Sequence, residues 1–207
     1  MGIPVLIMGE SGSGKSASIR NFEASEVGIV NVAGKPLPFR KKLQKLNTSD
    51  YGAIMNVLYK SEKKSFVIDD SQYLLCFEMF NKAKEIGYQK FTDMALNFYT
   101  LIRFIIEKLP EDNIVYFLHH TEVTAEGKTK AKTIGKMLDE KLTVEGLFSI
   151  VLFCQTDGER HYFVTQSDGT TTAKSPMEMF EEREIDNDLK MVDTAIREYF
   201  ELQGEST

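Results

Sequence analysis

The chain has little cysteine and no abundance of proline or glycine. Its 207 residues include 2 cysteines, 5 prolines and 14 glycines. Cys76 and Cys154 both lie inside apolar stretches, which favours buried, reduced thiols over a disulfide or a metal site. Neither a low-complexity tract nor an internal repeat is present, so the composition is typical of a globular domain of ordinary size.

Long apolar runs are also missing. The longest, such as "IVYFLHH" and "SIVLFCQ", are far too short to cross a bilayer. The first residues do not combine a basic region, an apolar core and a cleavage site, as a secretory signal would. We therefore expect a cytoplasmic protein without a membrane partner.

Basic residues are in the minority. The 25 lysines and arginines face 31 acids, for a net charge of −6, which argues against strong, stand-alone binding to nucleic acid. Many of the basic residues are nevertheless concentrated in "GKPLPFRKKLQK" and "GKTKAKTIGKMLDEK". These segments are either solvated loops or contacts to DNA phosphates. The candidates for such contacts are Arg40, Lys41, Lys42, Lys128, Lys130, Lys132 and Lys136.

Apolar strand patterns alternate with helical ones along the chain. "IPVLIM", "VGIVNVA", "SFVIDD" and "NIVYFLHH" are typical of buried strands. A helix is predicted over "KSASIRNFEA", another begins with Thr48 or Ser49 as N-cap, and residues 72–109 are helical with a break near Gly87. The alternation predicts an α/β fold with a mostly parallel central sheet and helices on both faces.

The last quarter of the chain has a different pattern. "SIVLFCQ" and "HYFVTQS" predict a hairpin around "TDGER", and "DNDLKMVDTAIREYFELQ" predicts an amphipathic closing helix. We expect one domain over residues 1–207, with a core at 3–154 and the hairpin and C-terminal helix at 155–202.

The segment "GESGSGKS" fits the phosphate-binding pattern G-x-x-x-x-G-K-[ST] at every position. Its glycines allow successive N–H groups to converge on phosphate oxygens. Lys15 would reach the β- and γ-phosphates, and the Ser16 hydroxyl would bind Mg²⁺. The alternative is a Gly-Ser loop that merely turns, against which the preceding strand and following helix argue. The predicted nucleotide-binding residues are Gly9, Glu10, Ser11, Gly12, Ser13, Gly14, Lys15, Ser16 and Ala17.

Two acids end the third predicted strand, in "SFVIDDSQ". Asp69 would hold Mg²⁺, directly or through water. Asp70 would polarise the attacking water as general base. The alternative is that one of the two acids caps the following helix.

A polar cluster ends the fourth predicted strand, in "YFLHHTE". If this strand lies between the strand before the phosphate-binding loop and the strand that ends at Asp69, its end faces the γ-phosphate. One of His119, His120 and Thr121 would then sense ATP against ADP and relay the difference to the next loop.

Other classes of P-loop protein fit less well. The nearest string to the guanine-binding Asn-Lys-x-Asp is "NKAK", which lacks the acid. Small-molecule kinases usually close an arginine-bearing lid over the phosphates, whereas the arginines of this chain are not clustered. A P-loop small-molecule kinase stays a second alternative.

Five strings together carry a resemblance to a family: the Lys15 loop, "VIDD", "FLHHTE", "TIGKMLDEKL" and "YFVTQSDGTTTAKSP". The chain resembles the RecA-like, single-domain ATPases of phages and related mobile elements, over roughly residues 3–202. Genes of this family commonly accompany DNA replication and single-strand annealing functions. The resemblance implies a RecA-like P-loop fold that binds Mg²⁺ and ATP, in the cytoplasm of a host cell if the protein is encoded by a phage.

The resemblance also implies partners. ATP would lie between the subunits of a homo-oligomer, either a ring or a filament, and the lysines after His120 would occupy the place of DNA-contacting loops. Lys174, in "AKSP", resembles a cation that such proteins project onto the neighbouring subunit's γ-phosphate, with Arg160 and Arg183 as rivals. A single-strand annealing or single-strand-binding protein is a further expected partner.

One departure from the RecA pattern bears on catalysis. RecA has a catalytic glutamate at the end of its second strand, whereas that strand here ends "VNVAGK", without an acid. Hydrolysis would rely on Asp70 or Glu122, or be slow. We therefore expect an ATPase acting on single-stranded DNA in recombination or replication, with an ATP-dependent recruiting module as the alternative.

Overall fold

The computed structural model describes residues 1–202, apart from the side chains at positions 139 and 140. Residues 203–207, which include Gln203 at the end of the predicted closing helix and the end of the expected domain, lie outside the described residues. Within 1–202 the fold is α/β, with a nine-stranded, mostly parallel sheet. The strands are β1 (Ile3–Gly9), β2 (Val27–Asn31), β3 (Lys45–Asn47), β4 (Ser65–Asp69), β5 (Ile114–Val123), β6 (Thr129–Ala131), β7 (Ile150–Thr156), β8 (His161–Val164) and β9 (Glu184–Asp186).

Helices connect these strands. The α-helices are α1 (Tyr51–Lys60), α2 (Gln72–Asn81), α3 (Gln89–Lys108) and α4 (Leu189–Tyr199). Shorter turns of helix are the 3-10 helices Ser16–Asn21 and Val144–Leu147 and the π-helix Met137–Leu142. Even α3, with 20 residues the longest α-helix of the described chain, is too polar to cross a membrane, and none of the others could do so.

The strand order is β3-β2-β4-β5-β1-β7-β8-β9, and β6 pairs with the end of β5. From β3 to β7 all neighbours are parallel, while β8 runs antiparallel to β7 and β9 antiparallel to β8. β5 therefore lies between β1 and β4, which is the condition for the sensor prediction. The register places Gly9 opposite His120 and Asn31 opposite Asp69, so these four residues lie near the same edge of the sheet.

Apolar side chains on both faces of the central strands explain the two helical layers. Leu6 belongs to a core cluster with Phe98 of α3, and Ile7 belongs to a second cluster with Ile19 and with Ile196 of α4. Successive strand residues point to opposite faces, so β1 needs a helical cover on each side. The prediction of helices on both faces is confirmed.

Several local predictions are corrected. The first helix is only a six-residue 3-10 helix. The N-cap of α1 is Asp50 and not Thr48 or Ser49. Asp50 Oδ1 accepts a hydrogen bond from the Ala53 N–H at 2.6 Å. The break near Gly87 is confirmed, because α2 ends and α3 begins around it with Gly87 at φ +95°. The closing helix and the hairpin between β7 and β8 are confirmed as well.

A buried polar network fixes α4 to the amino end of the sheet. Asp193 accepts hydrogen bonds from Ser65 at 2.7 Å and from the buried Tyr116 hydroxyl at 2.9 Å. Its other oxygen accepts from Arg197 at 2.7 Å. Burial next to this carboxylate raises the pKa of Tyr116 well above its usual value, so its hydroxyl stays protonated and donates.

We predict that Asp193→Ala lowers the free energy of unfolding by about 3 kcal/mol, because Tyr116 and Arg197 lose their buried acceptor. Urea denaturation measures this. The matched control is Glu107→Ala, which removes an exposed ion pair of the same helical spacing with Arg103 and is expected to cost less than about 1 kcal/mol. Equal losses in the two variants would contradict the role given to the network.

Candidate functional site

The segment between β1 and the first 3-10 helix forms a loop in which three glycines are constrained by backbone conformation or by close neighbours. Gly12 and Gly14 have φ of +86° and +101°, in the region that favours glycine. A Cβ at Gly9 would lie 2.5 Å from Ser13 Oγ and 2.6 Å from the Cys154 carbonyl oxygen. Of the pattern's two glycines, Gly14 is thus favoured by its backbone conformation and Gly9 by the close approach of its neighbours.

Lys15 lies inside this loop rather than in solvent. Its Nζ donates to the carbonyl oxygens of Gly9 and Glu10, both at 2.8 Å. The residue is 6% exposed, and burial lowers the pKa of the ammonium from its usual value. The loop carbonyls hold the cation where phosphate oxygens would take over as acceptors.

The Ser16 hydroxyl and the Asp69 carboxylate meet across the sheet. Ser16 Oγ donates to Asp69 Oδ1 at 2.7 Å, although 53 residues separate them. Burial raises the pKa of Asp69, against the effect of the Ser16 hydrogen bond. The contact joins the two predicted metal ligands at the carboxyl ends of β1 and β4.

These two side chains fit Mg²⁺, which prefers oxygen ligands and is commonly held by one or two carboxylates together with phosphates. Ser13 Oγ in the same loop is buried without a hydrogen-bond partner among the described residues. A cleft of about 370 Å³ opens beside these groups. Six residues of the 11–17 segment line it, together with Lys35, Pro36, Pro38, Asp69, Asp70, His120 and His161.

Asp70 lies in the cleft with both carboxylate oxygens engaged. Lys35 Nζ is 2.7 Å from Oδ2, and His120 Nε2 is 3.2 Å from Oδ1. Burial raises the pKa of Asp70, but the hydrogen bonds from His120 and Lys35 outweigh it and the pKa lies below its usual value. The backbone of Asp70 has φ +60°, which costs a non-glycine residue on the order of 1 kcal/mol. Asp70 does not act as the cap of α2, whose N-cap is Ser71.

His119 and His120 point to different surroundings. His119 is fully buried and outside the cleft, with Nδ1 2.9 Å from Ser71 Oγ and Nε2 2.9 Å from the Lys132 carbonyl oxygen. Burial lowers its pKa to about 4, so at neutral pH it is uncharged and Nε2 carries the proton that it donates to Lys132. Of the three sensor candidates, only His120 lines the cleft; Thr121 pairs with Ala131 in the sheet.

β5 and β6 form a hairpin that projects from the site end of the sheet. Glu122 pairs across it with Lys130, with 3.4 Å between Oε1 and Nζ. Glu122 is therefore outside the cleft, away from where a general base is needed. Lys128, Lys132 and Lys136 are exposed, and the Lys132 N–H donates to the His120 carbonyl at 2.9 Å.

The other predicted cations are dispersed. In the loop after β2, Arg40 and Lys42 are exposed and Lys41 pairs with Glu23 at 2.6 Å. The backbone of Lys174 pairs with Val151, which lies opposite Leu6, roughly 10 Å along the sheet from Gly9 at the usual rise of a strand. Arg160 pairs with Asp157 and Glu184, and Arg183 with Asp168.

Four residues of the cleft lining were not predicted as part of the site, and two of them, Lys35 and His161, have polar side chains. Lys35 follows the end of β2, and parallel strands end at one edge of the sheet, so its position carried a usable signal. His161 begins β8, and its Nδ1 donates to the Ser13 carbonyl at 2.8 Å. Its ring also lies against Gly14, where a Cβ would approach it to 2.9 Å. Only the strand order brings His161 to the loop.

We predict a pH dependence of stability that originates in His119. Below pH 6.5 the unfolded chain protonates this histidine, whereas the folded chain does not until about pH 4. Stability is therefore lost as the pH falls, and between pH 7 and pH 5 the loss is about 2 kcal/mol. Urea denaturation at both pH values should show this loss in the wild type and not in His119→Gln. His161→Gln, at an exposed histidine, is expected to keep it, and an unchanged loss in His119→Gln would contradict the assignment.

The comparison with known proteins assigns no family. No protein-family model matches the chain, and no curated protein matches it. The functional conclusion therefore depends on the site itself: the loop at the end of β1, the Ser16–Asp69 contact and the cleft beside them.

Proposed function

We propose that the protein is a RecA-like P-loop ATPase that binds Mg²⁺ and ATP in the cleft beside Lys15. The contact of 2.7 Å between Ser16 and Asp69 carries this proposal. It joins the end of the phosphate-binding pattern to the acidic strand end, which is the pairing that a Mg-nucleotide site requires. A loop that merely turns needs neither this contact nor the buried Lys15.

The residues divide the work of hydrolysis between them. The 9–17 loop binds the phosphates, with Lys15 exchanging its carbonyl partners for phosphate oxygens. Ser16 and Asp69 would hold a Mg²⁺ ion, whose charge would offset the negative charge of the phosphates. Asp70 takes a proton from the attacking water while the water oxygen forms a bond to the γ-phosphorus. The bond between the γ-phosphorus and the oxygen that bridges to the β-phosphate then breaks, which releases phosphate and ADP.

One observation favours a second candidate, an ATP-dependent recruiting module with little hydrolysis. Both oxygens of Asp70 are engaged by Lys35 and His120, and its lowered pKa makes it a weak base. The end of β2 supplies Asn31 and no acid. In this function ATP binding would control the attachment of a protein partner, such as an annealing or single-strand-binding protein.

The β5–β6 hairpin supports action on single-stranded DNA. Its exposed lysines lie at the site edge of the sheet, as do those of the loop after β2. Ser71 follows Asp70, and His119 connects Ser71 to the Lys132 carbonyl. A shift at the acidic strand end would therefore reach the hairpin through a single buried side chain.

Assembly into a homo-oligomer belongs to the same proposal. The Lys174 backbone is fixed beside β7, away from its own phosphate-binding loop. Its side chain is half-buried and forms no ion pair within residues 1–202. In a ring or filament it would serve the γ-phosphate of a neighbouring subunit, so that ATP binding and assembly would depend on each other.

We predict that the purified protein hydrolyses ATP at low salt and that single-stranded DNA raises the rate. Phosphate release, with and without DNA, measures this. Lys15→Ala is expected to abolish turnover, because the cation between the loop carbonyls and the phosphates is lost. A rate of ATP hydrolysis that does not change when DNA is added would contradict the proposed action on DNA. ATP binding without turnover would select the recruiting module.

We predict that Lys128→Ala combined with Lys132→Ala weakens binding to single-stranded DNA and reduces its salt dependence. Each lost phosphate contact should lower the slope of log affinity against log salt by about 0.7. Fluorescence anisotropy over a salt series measures the slope. The matched control is Lys60→Ala with Lys108→Ala, two exposed lysines at the ends of α1 and α3. An equal loss in both pairs would show that the hairpin is not the DNA contact.

A further inference from the structure

Lys35 is the cation of the cleft that the proposed function leaves without a role. Its ammonium pairs with Asp70 Oδ2 at 2.7 Å and lies 5.0 Å from the centre of the Tyr73 ring. The side chain is 57% exposed, whereas Lys15 is buried. Lys35 can therefore change partners without disturbing the core.

The backbone that carries Lys35 is held in place. Its carbonyl oxygen accepts from the buried Asn31 amide at 2.6 Å and also from the Lys45 ammonium. Asn31 ends β2 directly opposite Asp69 in the sheet, and Pro36 restricts the backbone after Lys35. The base of the side chain is thus fixed at the acidic edge while its ammonium remains free to reorient.

We propose that Lys35 distinguishes ATP from ADP by exchanging the Asp70 carboxylate for the γ-phosphate of bound ATP. This inference rests on the proposed function, because it requires nucleotide in the cleft. The γ-phosphate of ATP is expected near Ser16 and Asp69, which would hold the Mg²⁺ that accompanies the nucleotide's outer phosphates. Asp70 follows Asp69 directly, so the carboxylate that holds Lys35 lies beside that position.

The charges favour such an exchange. The hydrogen bond with Asp70 raises the pKa of Lys35, which keeps the ammonium charged. A γ-phosphate offers more negative charge than one carboxylate and oxygens on several sides, whereas ADP has no phosphate at this position. Lys35 would then stay on Asp70 in the ADP complex and leave it in the ATP complex.

The test compares the affinity for a non-hydrolysable ATP analogue with that for ADP, both with Mg²⁺ and without DNA, by calorimetry. Lys35→Met is expected to weaken binding of the ATP analogue about tenfold and of ADP less than about twofold, the usual scale for one charge-assisted hydrogen bond. Lys35→Arg should restore most of the discrimination. Lys60→Met, at an exposed lysine that ends α1 outside the cleft, should change neither affinity.

An Asp70→Asn background separates recognition of phosphate from a merely structural role. If Lys35 recognises the γ-phosphate, removing the competing carboxylate should make the loss in Lys35→Met larger than in the wild-type background. If Lys35 only neutralises Asp70, that loss should disappear, which would overturn the inference. Equal losses for the ATP analogue and ADP would overturn it too.

The wild type and Lys15→Ala distinguish the two levels of failure. No ATP binding by the wild type, or none that depends on Lys15, would overturn the proposed function together with this inference. If binding of the ATP analogue is lost in Lys15→Ala but unchanged in Lys35→Met, only this inference is overturned. Thermal unfolding of each variant checks that substitution at the exposed Lys35 leaves the protein folded.

Discussion

The site depends on the shared register of parallel strands at the centre of the sheet. Gly9 lies opposite His120, and Asn31 lies opposite Asp69, with β4 and β5 side by side between them. Because the strands β3, β2, β4, β5, β1 and β7 all run parallel, their carboxyl ends bring the glycine-containing loop, two acids and a histidine to one edge. A shift of one residue would turn each strand's side chains to the opposite face and separate Ser16 from Asp69.

The two adjacent acids have different environments, which divides their roles. Burial raises the pKa of Asp69, which bonds to Ser16 beside the loop. Asp70 faces two basic side chains, and its pKa is lowered. A metal ion would stabilise the buried negative charge of Asp69. The negative charge of Asp70 is already balanced by Lys35 and His120. Under the proposed function, Asp69 is therefore the carboxylate for the metal ion, while the candidate base Asp70 is held by Lys35 and His120.

The parts of the site that could be predicted from the sequence have local signatures. The G-x-x-x-x-G-K-[ST] pattern identifies the residues of the loop directly. Because parallel strands end at one edge of the sheet, Asp69 can be expected beside Ser16. The sequence could not distinguish His119 from His120. Adjacent strand residues point to opposite faces, and the sequence does not say which of the two faces the core. Lys35 follows the end of β2, a position that the rule for parallel strands could have assigned to this edge, whereas His161 begins β8 and only the strand order brings it to the cleft. β3, β6 and β9 have three residues each, too few for an alternating pattern to predict them.

The central claim is that Ser16 and Asp69 form the metal-binding half of a nucleotide site. The most direct test is the affinity for ATP with and without Mg²⁺, measured by calorimetry on the wild type and on Asp69→Asn. Asp157→Asn, at an exposed acid in the β7–β8 turn, is the control. The account predicts that Mg²⁺ strengthens ATP binding in the wild type and the control, and that the effect is lost in Asp69→Asn. A gain from Mg²⁺ that survives in Asp69→Asn, or no ATP binding in the wild type, would contradict it.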